Sequence, residues 1–257
     1  MNFTIRAITL DLDDTLWPFA PIGARIERDL DDWLRIHSPR TAERFPIEEM
    51  RALRERVFAQ NPHLLHDMSA LRRLTLEHAF VESGAAPSQT PALIDAAYGV
   101  FFAERNRVEC YPDAVEALAR ISAKLPVAAL SNGNADLVAI GLDHHFAFQL
   151  GSREHGSAKP DPGIFHAACE RLGCAPGEVL HVGDHIEMDV LGAARAGLRT
   201  AWVHREDARE RHPHWPHDDC APDLIVNDLA ALADAIDAMI DAPHTPSATA
   251  AVSEIRS

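Results

Sequence analysis

Residues 7–15 read Ala7-Ile8-Thr9-Leu10-Asp11-Leu12-Asp13-Asp14-Thr15. The first four form a short apolar run that predicts a strand. The carboxylates that follow at once predict that it ends at a polar edge. Similar runs at 127–130, 146–150, 179–182 and 200–203, and a shorter one at 224–226, alternate with helical patterns. That alternation predicts an α/β fold, a doubly wound parallel sheet with helices on its faces.

Helix ends are marked in the same way. Asp161 with Pro162 is a helix start and Gly173 its stop, and Gly197 closes the helix that contains Ala193, Ala194 and Ala196. From Pro18 to about Arg107 the pattern changes. Ile26, Leu30, Trp33 and Leu34, then Met50, Leu53, Val57 and Phe58, then Leu71, Leu74, Leu76 and Phe80 recur at helical spacing. Pro46 with Glu48 and Glu49 is a further helix start. The expected organisation is a core of residues 1–17 and 107–240, with a helical domain of residues 18–106 inserted after the first strand. Residues 241–257, rich in Ala, Ser, Thr and Pro, are expected to be a disordered tail.

Composition narrows the function classes. The 257 residues are 47% hydrophobic, enough for a substantial core, and carry 24 Lys and Arg against 39 Asp and Glu, a formal charge of −15. So acidic a chain is not expected to bind nucleic acid or an anionic membrane, both of which reward clustered Lys and Arg. Cys110, Cys169, Cys174 and Cys220 show no CxxC spacing and read as free thiols of a reducing compartment. The first apolar run stops at Asp11, unlike a signal peptide, and no run approaches the ~20 residues that span a bilayer. A cytoplasmic protein is expected, as a monomer or homodimer.

In an open parallel sheet, ligands bind beyond the carboxyl ends of the strands. Asp11 to Thr15 follow the first strand, Ser131-Asn132-Gly133-Asn134 the second, Lys159-Pro160 the third, and Gly183-Asp184 the fourth, with Asp189 close behind. These residues are therefore expected at one edge. Asp11 and Asp184 offer hard oxygen ligands suited to Mg2+. Such a cation and Lys159 would neutralise phosphoryl oxygens, while the Ser131 hydroxyl and the N–H groups of the turn after Asp11 would donate to them. Phosphoryl transfer needs mainly this kind of positioning and charge stabilisation. A carboxylate can serve as the fixed oxygen nucleophile. A turn beginning at Asp13 would bring it to the pocket of Asp11, where neighbouring carboxylates raise a pKa and suit Asp13 to proton transfer.

Taken in order, the Asp-Leu-Asp-Asp-Thr of 11–15, Ser131 ending an apolar strand, Lys159-Pro160-Asp161, and Gly183-Asp184 with Asp189 resemble the four motifs of the haloacid dehalogenase superfamily. The resemblance covers all but the tail. It implies a Rossmann-like core with a C1-type helical cap, and a magnesium-dependent phosphatase that works through a phosphoaspartate. It implies Asp11 as nucleophile, Asp13 as acid and base, and Ser131, Asn132 and Lys159 as phosphoryl holders. Asp11, Asp184 and the Asp13 carbonyl would bind Mg2+, with Asp189 behind them. Asp14 stands where many members have Gly; Asp tolerates left-handed backbone better than most residues. Leu65-His66-Asp67, Ser131-Asn132-Gly133-Asn134 and His181-Val182-Gly183-Asp184 further resemble bacterial phosphatases of flavin mononucleotide and of a phosphorylated ribitylaminouracil. That makes a small phosphorylated metabolite the expected partner. His66, Asp67 and Arg72 of the cap are candidate substrate residues, and Trp17, Phe19 and Phe58 are available as aromatic surface.

Each residue also has a plainer reading. An isolated Asp-x-Asp is as often a turn, and Ser131 or Lys159 alone is uninformative. Asp184 can cap a helix, Asp189 can solvate one, and Arg72 and Arg73 fit a solvated helix face. His204, His212, His214 and His217 match no zinc spacing and, with Arg205, Arg209, Arg211 and Pro213, read as a surface loop. Asp13 and Asp184 argue against a metal-independent haloacid dehalogenase. Chain length and the helical insertion argue against a phospho-acceptor signalling module. The intact residue set argues against a non-catalytic scaffold.

Overall fold

The computed structural model describes residues 4–206, 214–218 and 220–241. Six strands, β1 (Ala7–Leu10), β2 (Val127–Ser131), β3 (Phe148–Gly151), β4 (Val179–Gly183), β5 (Arg199–Val203) and β6 (Leu224–Val226), form one parallel sheet in the order β3-β2-β1-β4-β5-β6. The chain builds outward from β1 to β3, then returns to the other side of β1 at β4. That reversal opens a crevice beyond the carboxyl end of β1. Every residue of β1 is buried, as a strand covered on both faces must be. Leu10 lies opposite both Ala129 and Val182, so Asp11, Ser131 and Asp184 emerge at the same edge.

Local signals account for most boundaries. The Asp161 carboxylate accepts from the Gly163 N–H at 2.7 Å, and Gly173 and Gly197 stop their helices at φ of 66° and 83°. The third strand begins two residues later than the run at 146–150 suggests. The Phe146 N–H closes the tight turn Asp143–His145 onto the Asp143 carbonyl at 2.9 Å, which keeps that residue out of the ladder.

Between β1 and the helix Ala114–Ser122 lie the helices Phe19–His37, Pro39–Arg44, Ile47–Gln60, Met68–Glu82 and Thr90–Arg105. Ile22, Ile26, Leu30 and Leu34 form the buried stripe of the first. Ile22 and Ile26 join Leu16, Trp17 and Phe101 in the apolar cluster that runs under the sheet, whereas Leu30 and Leu34 pack with Leu76, Phe80 and Ala97. One amphipathic helix thus seams the inserted layer to the core. Thr90–Arg105 carries a weaker stripe, because two of its four buried positions, Thr90 and Arg105, are polar.

The helix Leu229–Asp241 packs on Ala114–Ser122. It includes the first residue of the expected disordered tail, and 242–257 lie outside the described residues. Among the described residues no helix is long and apolar enough to cross a membrane. The four cysteines are free thiols.

Candidate active site

Asp11 follows β1 directly, with its N–H on the Val182 carbonyl at 2.9 Å and its side chain nearly buried. Its Oδ1 accepts from the Lys159 ammonium at 2.5 Å, and the same ammonium donates to Asp189 Oδ1 at 2.6 Å. Lys159 is only 4% exposed. Asp189 does not solvate a helix face. It is buried inside the π turn Ile186–Leu191, where His181 Nε2 meets its Oδ1 at 3.1 Å and the His185 N–H donates to its Oδ2 at 3.0 Å. The Thr9 hydroxyl lies 2.9 Å from His181 Nδ1 and completes the line. Gly183 is required here, because a Cβ would overlap the Asp189 carboxyl group. Burial draws the Lys159 pKa down, but Asp11 and Asp189 outweigh it and hold the ammonium above its usual range. Burial likewise pushes Asp189 up, and Lys159 and His181 outweigh it and hold the carboxyl well below the usual range.

Beyond Asp11 the chain turns sharply. Asp14 has φ 58°, the left-handed conformation expected of the residue standing where relatives carry Gly. Its N–H reaches the Trp17 carbonyl at 2.7 Å, and its Oδ1 accepts from the Phe19 N–H at 2.9 Å. The turn lets the Thr15 hydroxyl donate to Asp184 Oδ1 at 3.3 Å. It also presents Asp13 beside Asp11, with Trp17 Nε1 on Asp13 Oδ1 at 2.9 Å and Arg105 Nη2 on Asp13 Oδ2 at 2.6 Å. Trp17 is fully buried as a support for Asp13 and is not open aromatic surface, while Phe58 packs partly buried in the inserted layer. No pattern in the sequence singled out Arg105.

The loop after β2 reaches into the same crevice. Ser131 Oγ is buried and accepts from the Gly133 N–H at 3.0 Å. Asn132 follows in the same loop. Its side-chain amide donates to the Lys159 carbonyl and accepts from the Lys159 N–H, both at 2.8 Å, so it positions the lysine and leaves only main chain for a phosphate. Of the cap candidates, Asp67 caps the helix Met68–Glu82 through the Ala70 N–H at 2.9 Å, a structural task. His66 lies against the core, its carbonyl accepting from the Ser152 hydroxyl at 2.8 Å. Arg72 is not brought to the carboxylates. It lies over the Phe101 ring at 4.7 Å and lines a cavity of the inserted layer with Glu27 and Arg54. Burial first, then Arg54, lower its pKa to about 10. The surface-loop reading fails for His204 and Arg205, which are buried. His204 stacks on Trp202 at 4.1 Å, and Arg205 grips the Thr15 carbonyl at 2.8 Å and both Asp113 oxygens at 3.0 and 3.1 Å. His214 is exposed, while His212, Arg209, Arg211 and Pro213 lie outside the described residues.

Asp11, Asp184 and Asp189 each bring an oxygen within 4.8 Å of the other two. Burial, with Asp189 and Asp13 adding repulsion, pushes Asp11 up to about 7 against the pull of Lys159. Burial and then Asp189, Asp11 and Asp14 push Asp184 up to about 8. Clustered carboxylates that resist ionisation suit a hard divalent cation. Because Asp189 already engages Lys159, His181 and His185, Asp11 and Asp184 are the pair that would hold it. Both folded-state values lie above that of a free Asp, so ionising these groups costs stability as pH climbs through them. The cation needs them ionised and must displace their protons at lower pH. Its affinity is expected to weaken by roughly tenfold per pH unit for each displaced proton on going from about pH 8 to about pH 6. The Tm gained on adding Mg2+ should shrink in parallel. Titration calorimetry and thermal melts read both, and pH-independent affinity across that window would contradict the arrangement.

A model of haloacid dehalogenase-like hydrolases matches residues 5–197, and the chain belongs to that family of hydrolases. Phosphatases are among its curated relatives. The 5-amino-6-(5-phospho-D-ribitylamino)uracil phosphatase of Escherichia coli is 33% identical over 203 residues, covering 79% of this chain and 85% of that protein. The phosphoserine phosphatase of Thermus thermophilus is 34% identical over 250 residues, covering 88% and 96%. A solved 2-haloacid dehalogenase from Pseudomonas syringae pv. tomato superposes with a TM-score of 0.83 at 33% identity, covering 91% of this chain and 99% of that one.

Proposed function

We infer that the chain is a Mg2+-dependent phosphatase of small organic phosphate monoesters, acting through a phosphoaspartate on Asp11. The observation that carries this reading is the carboxylate set. Asp13 stands in the pocket beside Asp11, and Asp184 completes a cation-sized cluster with it. Displacement of halide from a haloacid needs neither a proton donor nor a cation, so a dehalogenase has no use for this pair.

Asp11 attacks phosphorus, the bond from phosphorus to the ester oxygen breaks, and Asp13 delivers its proton to the departing oxygen. Water then attacks the phosphoaspartate, Asp13 takes the water proton, and Asp11 is released as a carboxylate with free phosphate. Lys159, within 2.5 Å of Asp11, and Ser131 supply charge and donors to the phosphoryl oxygens. A bound Mg2+ held by Asp11, Asp184 and the Asp13 carbonyl would neutralise developing phosphoryl charge.

A ribityl phosphate is the proposed substrate, with flavin mononucleotide as its accessible representative. The Escherichia coli relative's substrate and the Leu65-His66-Asp67 and Ser131-Asn132-Gly133-Asn134 segments support it. The test is kcat/KM for flavin mononucleotide against phosphoserine, sugar phosphates, pyridoxal phosphate and nucleoside monophosphates, with Mg2+ and in excess EDTA. Flavin mononucleotide should rank first and EDTA should abolish turnover. A last place for flavin mononucleotide ends the substrate assignment, and full activity after metal removal ends the mechanism.

A further inference from the structure

Arg105, the last residue of the helix Thr90–Arg105, is 2% exposed yet ends at an active-site carboxylate. Its Nη2 donates to Asp13 Oδ2 at 2.6 Å and its Nε to Asn134 Oδ1 at 3.2 Å, while Nη1 has no hydrogen-bond partner among the described residues. Buried donors are ordinarily filled, and an empty one carries a desolvation cost. This guanidinium is placed for Asp13 rather than for its own satisfaction. The neighbouring backbone allows it, because Gly133 comes so near that a Cβ would lie 2.8 Å from Asp13 Oδ2 and 2.9 Å from Arg105 Nη2. On the other oxygen, Trp17 Nε1 donates to Asp13 Oδ1 at 2.9 Å, so two buried donors set the plane of the carboxylate. The line continues outward. Asn134 Nδ2 donates to Ser69 Oγ at 3.3 Å, and the Tyr98 hydroxyl donates to the same oxygen at 2.9 Å. Ser69 and Tyr98 sit on the inserted helices Met68–Glu82 and Thr90–Arg105, while Asp13 and Asn134 belong to the loops beyond β1 and β2.

The geometry points to Arg105 as a positioning residue for Asp13, carried on the helical insertion and orienting the proton-transferring carboxylate toward the leaving oxygen. The inference rests on the phosphatase reading. It differs from a purely structural role in one observable. An alkoxide is a strong base and needs the proton of Asp13 to depart, whereas 4-nitrophenolate is a weak base and leaves without it. A misplaced Asp13 therefore penalises alkyl phosphates selectively, while a general loosening of the pocket penalises both classes alike.

The experiment compares kcat/KM for ribitol 5-phosphate and for 4-nitrophenyl phosphate, a quantity that reports the steps up to the phosphoenzyme. Wild type, Arg105→Gln, Arg105→Lys and Asn134→Ala are measured with Mg2+, and Asp13→Asn sets the reference pattern. Arg105→Gln should lose on the order of 100-fold on the alkyl ester and within about threefold on the aryl ester, matching the bias of Asp13→Asn. Arg105→Lys, which keeps the charge but not the fork, should fall between it and wild type. Asn134→Ala keeps the bond from Arg105 to Asp13 but frees the other side of the guanidinium, and should show the same bias at roughly tenfold. Equal losses on both esters, or no loss, overturn the positioning role. If Arg105→Gln does not fold, the ratio in Asn134→Ala decides by the same criterion. A wild type that hydrolyses neither ester overturns the phosphatase reading and the inference with it.

Discussion

Asp11→Asn is expected to yield a folded protein that accepts no phosphoryl group and turns over no phosphate ester. The amide is a poor nucleophile, and removal of a nucleophile that acts as part of a unit typically costs a factor on the order of 10,000 or more. The fold should tolerate the change. The amide oxygen can still accept from the Lys159 ammonium, now 2.5 Å from Asp11 Oδ1, so Asp189 keeps its partner. Stability should even rise in the cation-free protein at mildly alkaline pH. Burial pushes Asp11 to about 7, above the value of a free Asp, so its ionisation destabilises the fold as pH rises. Asn carries no such cost, and the advantage should vanish as pH falls far enough for the wild-type carboxyl to be protonated in folded and unfolded chains alike. Acid-quench labelling with a radioactive phosphoryl donor, followed by peptide mapping, checks the chemistry, and thermal melts across pH check the sign. Label on a residue other than Asp11, or turnover within tenfold of wild type in the variant, would sink the assignment.

Lys159→Met should be the second most damaging change, and it should act on two levels. Loss of the ammonium removes a charge beside the attacking carboxylate, and activity should fall on the order of 100-fold or more. The same loss strips Asp189 of a 2.6 Å partner in a site where both side chains are nearly inaccessible. Breaking a buried pair by removing one member commonly costs about 3–5 kcal/mol, because the remaining charge is left uncompensated. Lys159 is held above its usual pKa and Asp189 below its own, so the pair is fully charged at neutral pH. The stability difference between wild type and Lys159→Met should be largest near neutrality and should narrow toward acid pH, where the orphaned carboxylates take up protons. Differential scanning fluorimetry over that range reads it. A variant of wild-type stability and rate would place the lysine outside the site.

The strands and the strand-end residues were legible because in a doubly wound sheet both properties are local. A strand covered on both faces must be a short unbroken apolar run, and β1 is one. A ligand edge must carry polar groups where those runs stop; Asp11, Ser131 and Asp184 stand at such stops, and Lys159 follows the short helix Ser152–His155 after the third strand. The left-handed turn at Asp14 and the helix stops at Gly173 and Gly197 were likewise visible, since each is a property of one residue's backbone. What a side chain does beyond its own turn was not. Asn132 looked like a phosphate ligand beside Ser131, yet its amide is taken by the main chain of Lys159, 27 positions away. Arg205 looked like one more charge in a polar loop, yet it grips the Thr15 carbonyl from 190 positions away.

The residue sequence by itself determined the α/β class and the parallel sheet, because short apolar runs alternating with helical patterns encode them, and it set the proposed nucleophile, acid, lysine and metal carboxylate in an order that resembles the family's motifs. Only the tertiary structure decided how those groups are charged and held. Burial of Lys159 between Asp11 and Asp189, the raised pKa values of Asp11 and Asp184, and the hold of Arg105 on Asp13 across 92 positions all depend on elements that meet in space. Desolvation and pairing are set by what closes over a group, and a linear pattern does not specify that.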